Sequence, residues 1–330
     1  NWQTLSNGLP VVQVSDLVVE DHDLVIGTHG RSFWVMEDID ILRQLPDVLA
    51  QEGPVLYDPR DPVADFDNAV SVDYYLPEEV ELVTVEYLDA SGEVIEAQES
   101  GQGRFGPSTE AGTHRVRWNL RYDGWRDFEG RIFWAAGNGG PPASPGTYAV
   151  RLTVDGEALE EDFQLQMNPR AVAAGVTVAD LEERFRFSMD IRDRVTEANE
   201  AVLRIRAIED QIAERLDASD SEELAALASE VGSALDGVEG EIYQVRNRSG
   251  QDPLNFPIKL NNKLAALLGH VSGAEDRPTQ QSYAVYEKLS GELDVQLEQL
   301  TIVLQQDIGR LNEMLRSMGL DPIQLENLIT

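Results

Sequence analysis

Two runs of alternating side chains constrain this fold more than any other feature of the sequence. In residues 113–122, THRVRWNLRY, the apolar residues Val116, Trp118 and Leu120 alternate with polar ones, and residues 147–156, TYAVRLTVDG, repeat the pattern. A period of two places apolar side chains on one face of a β-strand and polar side chains on the other. We therefore expect the two runs to be paired strands at the centre of a β-sandwich.

Further strand-like runs surround this pair. They are separated by turn sequences such as Ala90-Ser91-Gly92 and Asp155-Gly156, and the second of these is a favoured hairpin turn. Six or so short strands with such turns favour an immunoglobulin- or fibronectin type III-like sandwich. The additional strands are predicted at residues 71–76, 82–89, 93–98 and 159–167.

The last 150 residues follow a helical pattern, with apolar side chains recurring at steps of three and four. Thr177 and Ser221 are suited to cap the first two helices, Pro278 precedes the last one, and Gly319 ends it. Long helices joined by short breaks predict an antiparallel three- or four-helix bundle. The leucine-rich repeat of the last helix has two interpretations: burial inside its own bundle, or self-association with a second chain.

The N-terminal part contains two strand-like runs, residues 11–20 and 24–36, and two strands alone are only marginally stable. A proline-containing segment, residues 46–62, follows and is predicted to be an extended linker. The two opening strands are therefore expected to need a neighbouring sheet.

Several phrases resemble one known family. DLVIGTHGRSFWVMEDIDILRQL, residues 23–45, resembles the closing blade of bacterial BNR-type, sortilin-like β-propeller proteins, which are often labelled glycosyl hydrolases. AGTHRVRWNLRY, PPASPGTYAVRLTVDG and DIRDRVTEANEAVLRIR resemble the C-terminal half of the same family. The family's Asp-box, Ser-x-Asp-x-Gly-x-x-Trp, is not matched around Trp34, because His29 and Arg31 stand at its Asp and Gly positions.

The resemblance implies three regions: a remnant of the terminal blade in residues 1–50, an immunoglobulin-like sandwich in 51–170 and a helical bundle in 176–330. It further implies a non-catalytic accessory region that supports its own N-terminal propeller, in a periplasmic or extracellular bacterial protein. One alternative is the C-terminal part of a glycoside hydrolase-like enzyme whose active site lies in the propeller. The other is a self-associating helical adaptor.

Four residues are candidates for ligand binding. His29 and Arg31 lie in the phrase GTHGRS, with the histidine between glycines at a strand end, where they either line the mouth of a propeller or tie neighbouring blades together. Trp125 and Trp134 lie in the long loop 123–145, where aromatic rings either stack on a sugar or peptide or dock on a neighbouring element. Both interpretations stay open for each pair.

Other candidate sites are less distinctive. The acidic turn from Glu20 to Asp23 is either an oxygen-rich cation site or a solvated turn, and it lacks EF-hand spacing. Glu37, Asp38 and Asp40, inside the blade-like phrase, are the acids beside a plausible groove. A glycosidase needs two carboxyls at a defined separation, and closeness in so acidic a sequence does not establish one. The sequence therefore predicts no catalytic residue, no cofactor and no metal.

Composition excludes several classes of function. Sixty acidic and 26 basic residues give a formal net charge of −34, which repels nucleic acid and anionic lipid but permits carbohydrate or protein partners. The chain has no cysteine, so disulfides and Cys-based zinc sites are excluded. No apolar run is long enough to span a bilayer. The arginines Arg115, Arg117 and Arg121 are expected to pair with glutamates such as Glu182 or Glu183.

Overall fold

The computed structural model describes residues 8–48, 50–102 and 106–325. It confirms a multi-domain protein of β-sheets and α-helices. The chain separates into a unit made mainly of sheets and a unit made mainly of helices. The sheet unit comprises Asn1–Val63, Asp67–Asn119 and Gly146–Gln166, and the helical unit comprises Ala64–Phe66, Leu120–Pro145 and Met167–Thr330.

The described strands of the sheet unit form three antiparallel sheets, with a short helix between the first sheet and the others. The orders are β1-β2-β3, β4-β5-β8 and β10-β9-β6-β7. In chain order the elements are β1 (Val14–Glu20), β2 (Asp23–Thr28), β3 (Phe33–Met36), α1 (Asp40–Val48), β4 (Val55–Leu56), β5 (Val70–Leu76), β6 (Val83–Leu88), β7 (Val94–Glu99), β8 (Gly112–Trp118), β9 (Gly146–Val154) and β10 (Glu157–Leu165).

The two alternating runs form strands β8 and β9, but they do not pair with each other. Strand β8 pairs with β5, whereas β9 lies between β10 and β6 in a different sheet. The prediction of a central pair was therefore wrong. Alternation determines which face of a strand is buried, but it does not identify the strand that completes its hydrogen bonds.

Aromatic side chains fill the space between these two sheets. Trp118 of β8 is fully buried, and its ring lies 5.4 Å from that of Tyr87 on β6 and 5.6 Å from that of Tyr148 on β9. Phe163 of β10 stacks on Tyr148 at 5.9 Å. Rings at these separations add stability beyond the apolar area that they bury.

Residues 40–48 form helix α1, where the sequence predicted the end of a blade and the start of a linker. Pro46 lies inside this helix and lacks the N–H that a helical residue donates. Tertiary contacts compensate, because Val48 is buried with Val55 and Tyr57, and Gln44 exchanges hydrogen bonds with the backbone of Asp58. Local sequence alone did not show these contacts.

The helical unit contains one core of apolar side chains drawn from its long helices. Thr177 and Asp180 form a capping box at the start of α3, and Ser221 caps α4, as predicted. None of the helices in the described part of the chain combines the length and hydropathy that a membrane span requires. The helices are α2 (Pro169–Ala173), α3 (Val178–Asp217), α4 (Glu222–Ile242), α5 (Leu260–Ser272), α6 (Gln280–Ile302) and α7 (Ile308–Ser317), with the π-helical turn Val303–Asp307 between the last two.

Candidate functional site

The sheet of β1, β2 and β3 exposes apolar side chains on both faces. Val18, Val25 and Val35 lie directly opposite one another across the three strands, so they share one face. Val18 is 47% exposed and Val35 is 54% exposed. The other face carries Leu17 and Trp34, which are 52% and 38% exposed. A sheet that is apolar on both sides is typical of one that packs between two other layers.

His29 and Arg31 lie in the turn that joins β2 to β3, and both are exposed. The turn is tight, because Gly30 and Ser32 both adopt positive φ angles, of 80° and 66°. It is closed by the Thr28 N–H, which donates to the Ser32 carbonyl at 3.2 Å, and by the Trp34 indole N–H, which donates to the Arg31 carbonyl at 3.0 Å. The turn thus carries an exposed imidazole and an exposed guanidinium at one end of the apolar sheet.

The acids near this sheet are engaged in local pairs. His22 contacts the Asp40 carboxylate, which also accepts from Arg43 at 2.7 Å. Asp23 accepts a hydrogen bond from the Asp38 N–H at 3.0 Å. These contacts stabilise the turn between β1 and β2 and the start of α1.

Arg115 is paired differently from the sequence-based expectation. Its guanidinium donates to both carboxylate oxygens of Asp73, at 2.8 and 2.7 Å, and to Asp38 at 2.6 Å. Glu183 instead accepts from Arg277 at 2.7 Å. The predicted pairing with Glu182 or Glu183 was therefore wrong for Arg115, because its partners come from the strand beside it and from the blade-like segment.

The long aromatic loop lies on the helices of its own unit. The Arg126 N–H donates to the Thr196 hydroxyl at 3.1 Å, and the Arg126 carbonyl accepts from the Asn199 side chain at 2.8 Å. The Asn262 side chain makes two hydrogen bonds to the backbone of Trp134. Its amide oxygen accepts from the Trp134 N–H at 2.7 Å, and its amide nitrogen donates to the Trp134 carbonyl at 2.9 Å. Backbone groups of a loop this long must find partners somewhere, and here buried asparagines of α3 and α5 supply them.

The two tryptophans of this loop have different surroundings. Trp125 is 3% exposed and belongs to the apolar core of the helical unit, together with Phe128. Trp134 is 39% exposed. Burial leaves the Trp125 ring no free face on which a sugar could stack, so only Trp134 offers an exposed ring for the predicted ligand contact.

A carboxylate cluster lies between helices α3 and α4. Glu209, Asp236 and Glu239 bring carboxylate oxygens within 4.8 Å of one another. Glu239 is 6% exposed and accepts a hydrogen bond from the Arg206 guanidinium at 2.8 Å. That guanidinium also lies over the Phe128 ring, 4.9 Å from its centroid, so one cation contacts both a carboxylate of the cluster and an aromatic face.

The cluster can bind a proton near neutral pH. Burial, and after it the nearby charges of Asp236 and Glu239, raise the pKa of Glu209 to about 7. Carboxylate oxygens are also the ligands that calcium and magnesium prefer, so these three residues are the described group that could hold such an ion. Arg206 already neutralises part of their charge, which favours a proton over a divalent cation.

No protein-family profile matches this chain. No curated protein matches it either. Among solved structures, CopC from Methylosinus trichosporium OB3b has a TM-score of 0.21 at 17% identity, covering 35% of this chain and 95% of CopC. The BSP domain of a biofilm associated protein has a TM-score of 0.22 at 14% identity and covers 44% and 27% of the two chains. FlgD from P. aeruginosa has a TM-score of 0.18 at 21% identity and covers 34% and 70%. Likenesses this weak identify neither fold nor function.

The carboxylate cluster is not apparent from the sequence. Asp236 and Glu239 are three residues apart on one helix, a spacing that places both on the same face. Glu209 lies on the preceding helix, and only the packing of α3 on α4 brings it close. In a chain with 60 acidic residues, a spacing of three between two acids carries little information.

Proposed function

We propose that this chain is a non-catalytic interaction region that supports a β-propeller, with the β1–β3 sheet as its contact surface. In this proposal residues 1–50 belong to a propeller blade of the BNR-type, sortilin-like kind. Residues 51–170 form an immunoglobulin-like sandwich, and residues 176–330 form an antiparallel helical bundle. The protein would act in the periplasm or outside the cell.

The observation that carries the proposal is the exposure of apolar side chains on both faces of one small sheet. Val18, Phe33 and Val35 on one face are 47%, 78% and 54% exposed, and Leu17 and Val19 on the other are 52% and 51% exposed. Contiguous apolar surface of this kind marks interaction sites in soluble proteins. A propeller blade packs between two neighbouring blades, which would cover both faces.

The state of the nearby acids supports a non-catalytic role. A glycosidase needs one carboxyl that donates a proton and a second that acts as base or nucleophile. Asp38 and Asp40 are instead paired with Arg115, and with Arg43 and His22. These ion pairs engage both carboxylates in contacts within the fold rather than leaving them to face a substrate.

The first test is to read the coding sequence upstream of Asn1. The proposal requires several propeller blades there, and a different kind of domain in that position would overturn it. A panel of chromogenic glycosides, applied to the full-length protein, then separates a supporting role from a hydrolase. Hydrolysis of any of them would favour the enzyme interpretation.

The second test measures contact directly. The upstream propeller, expressed separately, is titrated into this chain by calorimetry, with wild-type protein and with the double variant Val18→Lys/Val35→Lys. Two buried ammonium groups should weaken binding about tenfold or more. Val285→Lys is the matched control, because Val285 is 44% exposed and lies on α6 in the helical unit. Equal weakening by the control would contradict the proposed surface.

A further inference from the structure

Lysine is concentrated at one place in this chain. The sequence contains 26 basic residues, but the only lysines are Lys259, Lys263 and Lys288. Lys259 and Lys263 line a groove of about 640 Å³ in the helical unit. Its walls are the C-terminal end of α4, residues 244–246 and 257–259 of the segment that follows, the first turn of α5 and the middle of α6.

The groove carries cations that no described carboxylate neutralises. Lys259 contacts Glu241 at 2.9 Å, and the groove's other acid, Glu292, lies 3.9 Å from Lys288. Lys263 and Arg246 have no ion pair within the described part of the chain, and the Arg246 guanidinium lies over the Phe256 ring at 4.0 Å. The chain has a net charge of −34, so two cations without an ion pair among the described residues make this groove markedly more positive than the chain as a whole.

The first turn of α5 adds to this positive potential. Lys259 is the N-cap residue of the helix, and its side chain makes no capping hydrogen bond; the Asn261 side chain accepts from the Asn262 N–H at 2.8 Å, which leaves the first N–H groups of the turn without a side-chain cap. Lys263 follows one turn later. Positive side chains at a helix N-terminus oppose the helix dipole, and an uncapped end leaves backbone N–H groups that favour an anion. A local arrangement that is unfavourable in the free protein is typical of a binding site.

Apolar side chains form the rest of the groove. Val245 and Val295 are 38% and 54% exposed, Ile258 is half-buried, and Leu260 is buried. A volume of this size lies within the range of pockets for small molecules, about 300 to 1,000 Å³. The groove therefore combines an apolar wall with the cationic side chains of Lys263 and Arg246.

We propose that this groove binds a small organic carboxylate with an apolar body. The carboxylate lies at Lys263, Arg246 and the N-terminus of α5, and the apolar body lies against Val245 and Val295. Charge complementarity selects the anion, and the exposed valines select a ligand with hydrocarbon over a fully polar one. This binding activity is independent of the propeller contact proposed above.

Three probes of related chemistry test the class of ligand on the whole chain. Octanoate has both the carboxylate and the apolar body, acetate has only the charge, and octanol has only the body. Isothermal titration calorimetry, together with amide chemical shifts, should show saturable binding of octanoate at concentrations up to about 10 mM, with acetate and octanol each at least tenfold weaker.

Paired variants locate the site. Lys263→Gln removes one groove cation and should weaken octanoate about tenfold, whereas Arg316→Gln removes an equal charge at an exposed position of α7 away from the groove lining and should have little effect. Val295→Gln should weaken octanoate but leave acetate unchanged. Val285→Gln, ten residues earlier on the same helix, is its control.

Several results would overturn the proposal. Octanol binding as tightly as octanoate would exclude anion recognition, and acetate binding as tightly would exclude the apolar wall. Tighter binding of a short polyglutamate peptide would assign the groove to an acidic protein segment instead. Equal effects of the Lys263 and Arg316 variants, or no saturable octanoate binding, would show that the groove is not the site.

Discussion

Glu209 contributes to the pH dependence of the stability of the helical unit. Its pKa rises from 4.5 to about 7 because burial and two neighbouring carboxylates disfavour its charge. A group whose folded-state pKa is raised stabilises the fold when it is protonated. That contribution is fully present below about pH 4.5 and is lost as the pH rises through about 7.

We predict that Glu209→Gln removes this pH dependence. At pH 8 the variant should be more stable than the wild type by about 1 kcal/mol. This free energy is smaller than the pKa shift alone would give, because Glu209 is only partly buried and solvent screens its charge. At pH 4 the two proteins should be nearly equal. Urea unfolding at both pH values measures the difference.

Glu214→Gln is the control, since Glu214 is a 70% exposed acid on the same helix. It accounts for the general benefit of removing one negative charge from so acidic a chain. If Glu214→Gln stabilised the protein at pH 8 as much as Glu209→Gln does, Glu209 would have no special role.

Arg184, on α3, is a second residue that we expect to have a large effect on the stability of the helical unit. Its side chain is 1% exposed, and one terminal nitrogen donates to Asp65 at 3.0 Å and to the Ala274 carbonyl at 2.6 Å. Its other nitrogens have no partner among the described residues. The arginine thus joins three distant segments of the helical unit, at a cost in unsatisfied donors.

We predict that Arg184→Met destabilises the helical unit by about 3 kcal/mol. The methionine keeps most of the apolar stem but leaves Asp65 and the Ala274 carbonyl without their donor. Thermal unfolding followed by circular dichroism is the measurement. Arg186→Met, at an exposed arginine of the same helix, should change stability by less than about 0.5 kcal/mol. Similar losses in both variants would contradict the proposed joining role.

At the scale of elements, the loop 123–145 behaves as part of the helical unit although it connects two strands of the sheet unit. It returns sharply at Gly140, where a Cβ atom would lie 1.6 Å from the Tyr122 carbonyl oxygen. The Tyr122 N–H donates to the Pro141 carbonyl at 3.0 Å, and the Ala143 N–H donates to the Leu120 carbonyl at 2.8 Å. The two ends of the loop therefore lie against each other.

We predict that Gly140→Ala opens this closure and destabilises the loop by at least about 2 kcal/mol, because a backbone atom cannot yield to the new methyl group. Hydrogen exchange should become faster at Arg126, Ile132 and Trp134, whose N–H groups are bonded to the helices. Gly137→Ala is the matched control, since nothing lies within 4 Å of its Cβ position. Unchanged exchange in Gly140→Ala would exclude the coupling.

The last helices use their leucine repeat within their own unit. Leu293, Ile308 and Leu315 are fully buried, and Leu289 and Leu300 are 7% and 4% exposed. These side chains are therefore not available to a second copy of the chain in this conformation. Self-association through the leucine repeat would therefore require these helices to separate from their own unit.

At the scale of the whole molecule, charge is the dominant property. With 60 acidic and 26 basic residues, repulsion among carboxylates opposes the compact state. We predict that the melting temperature rises as sodium chloride increases from about 0.05 to about 1 M, because counter-ions screen this repulsion. Differential scanning calorimetry measures the change.

Sorbitol at equal osmolality is the control for that experiment, since it stabilises proteins by exclusion from the surface without screening charge. Salt should raise the melting temperature well above the value in sorbitol. A melting temperature that depends on osmolality alone would show that local ion pairs, such as that of Arg115 with Asp73, already offset the excess charge.

The sequence by itself determined most of the strands and long helices of this protein, but not α1, and not the division of residues 24–36 between β2 and β3. Alternation identified the strands that contain Val116 and Val150, and Thr177 and Ser221 marked two helix starts correctly. These signals are local, because a strand face or a helix cap depends on residues within one or two turns of chain.

Only the tertiary structure decided which elements meet. It placed β8 and β9 in separate sheets, formed α1 around Pro46, and docked Trp125 in the helical core. It also brought Glu209 to Asp236 and created the groove at Lys263. The physical reason is that partner choice depends on burial summed over the whole unit, and many pairings satisfy the same local pattern equally well.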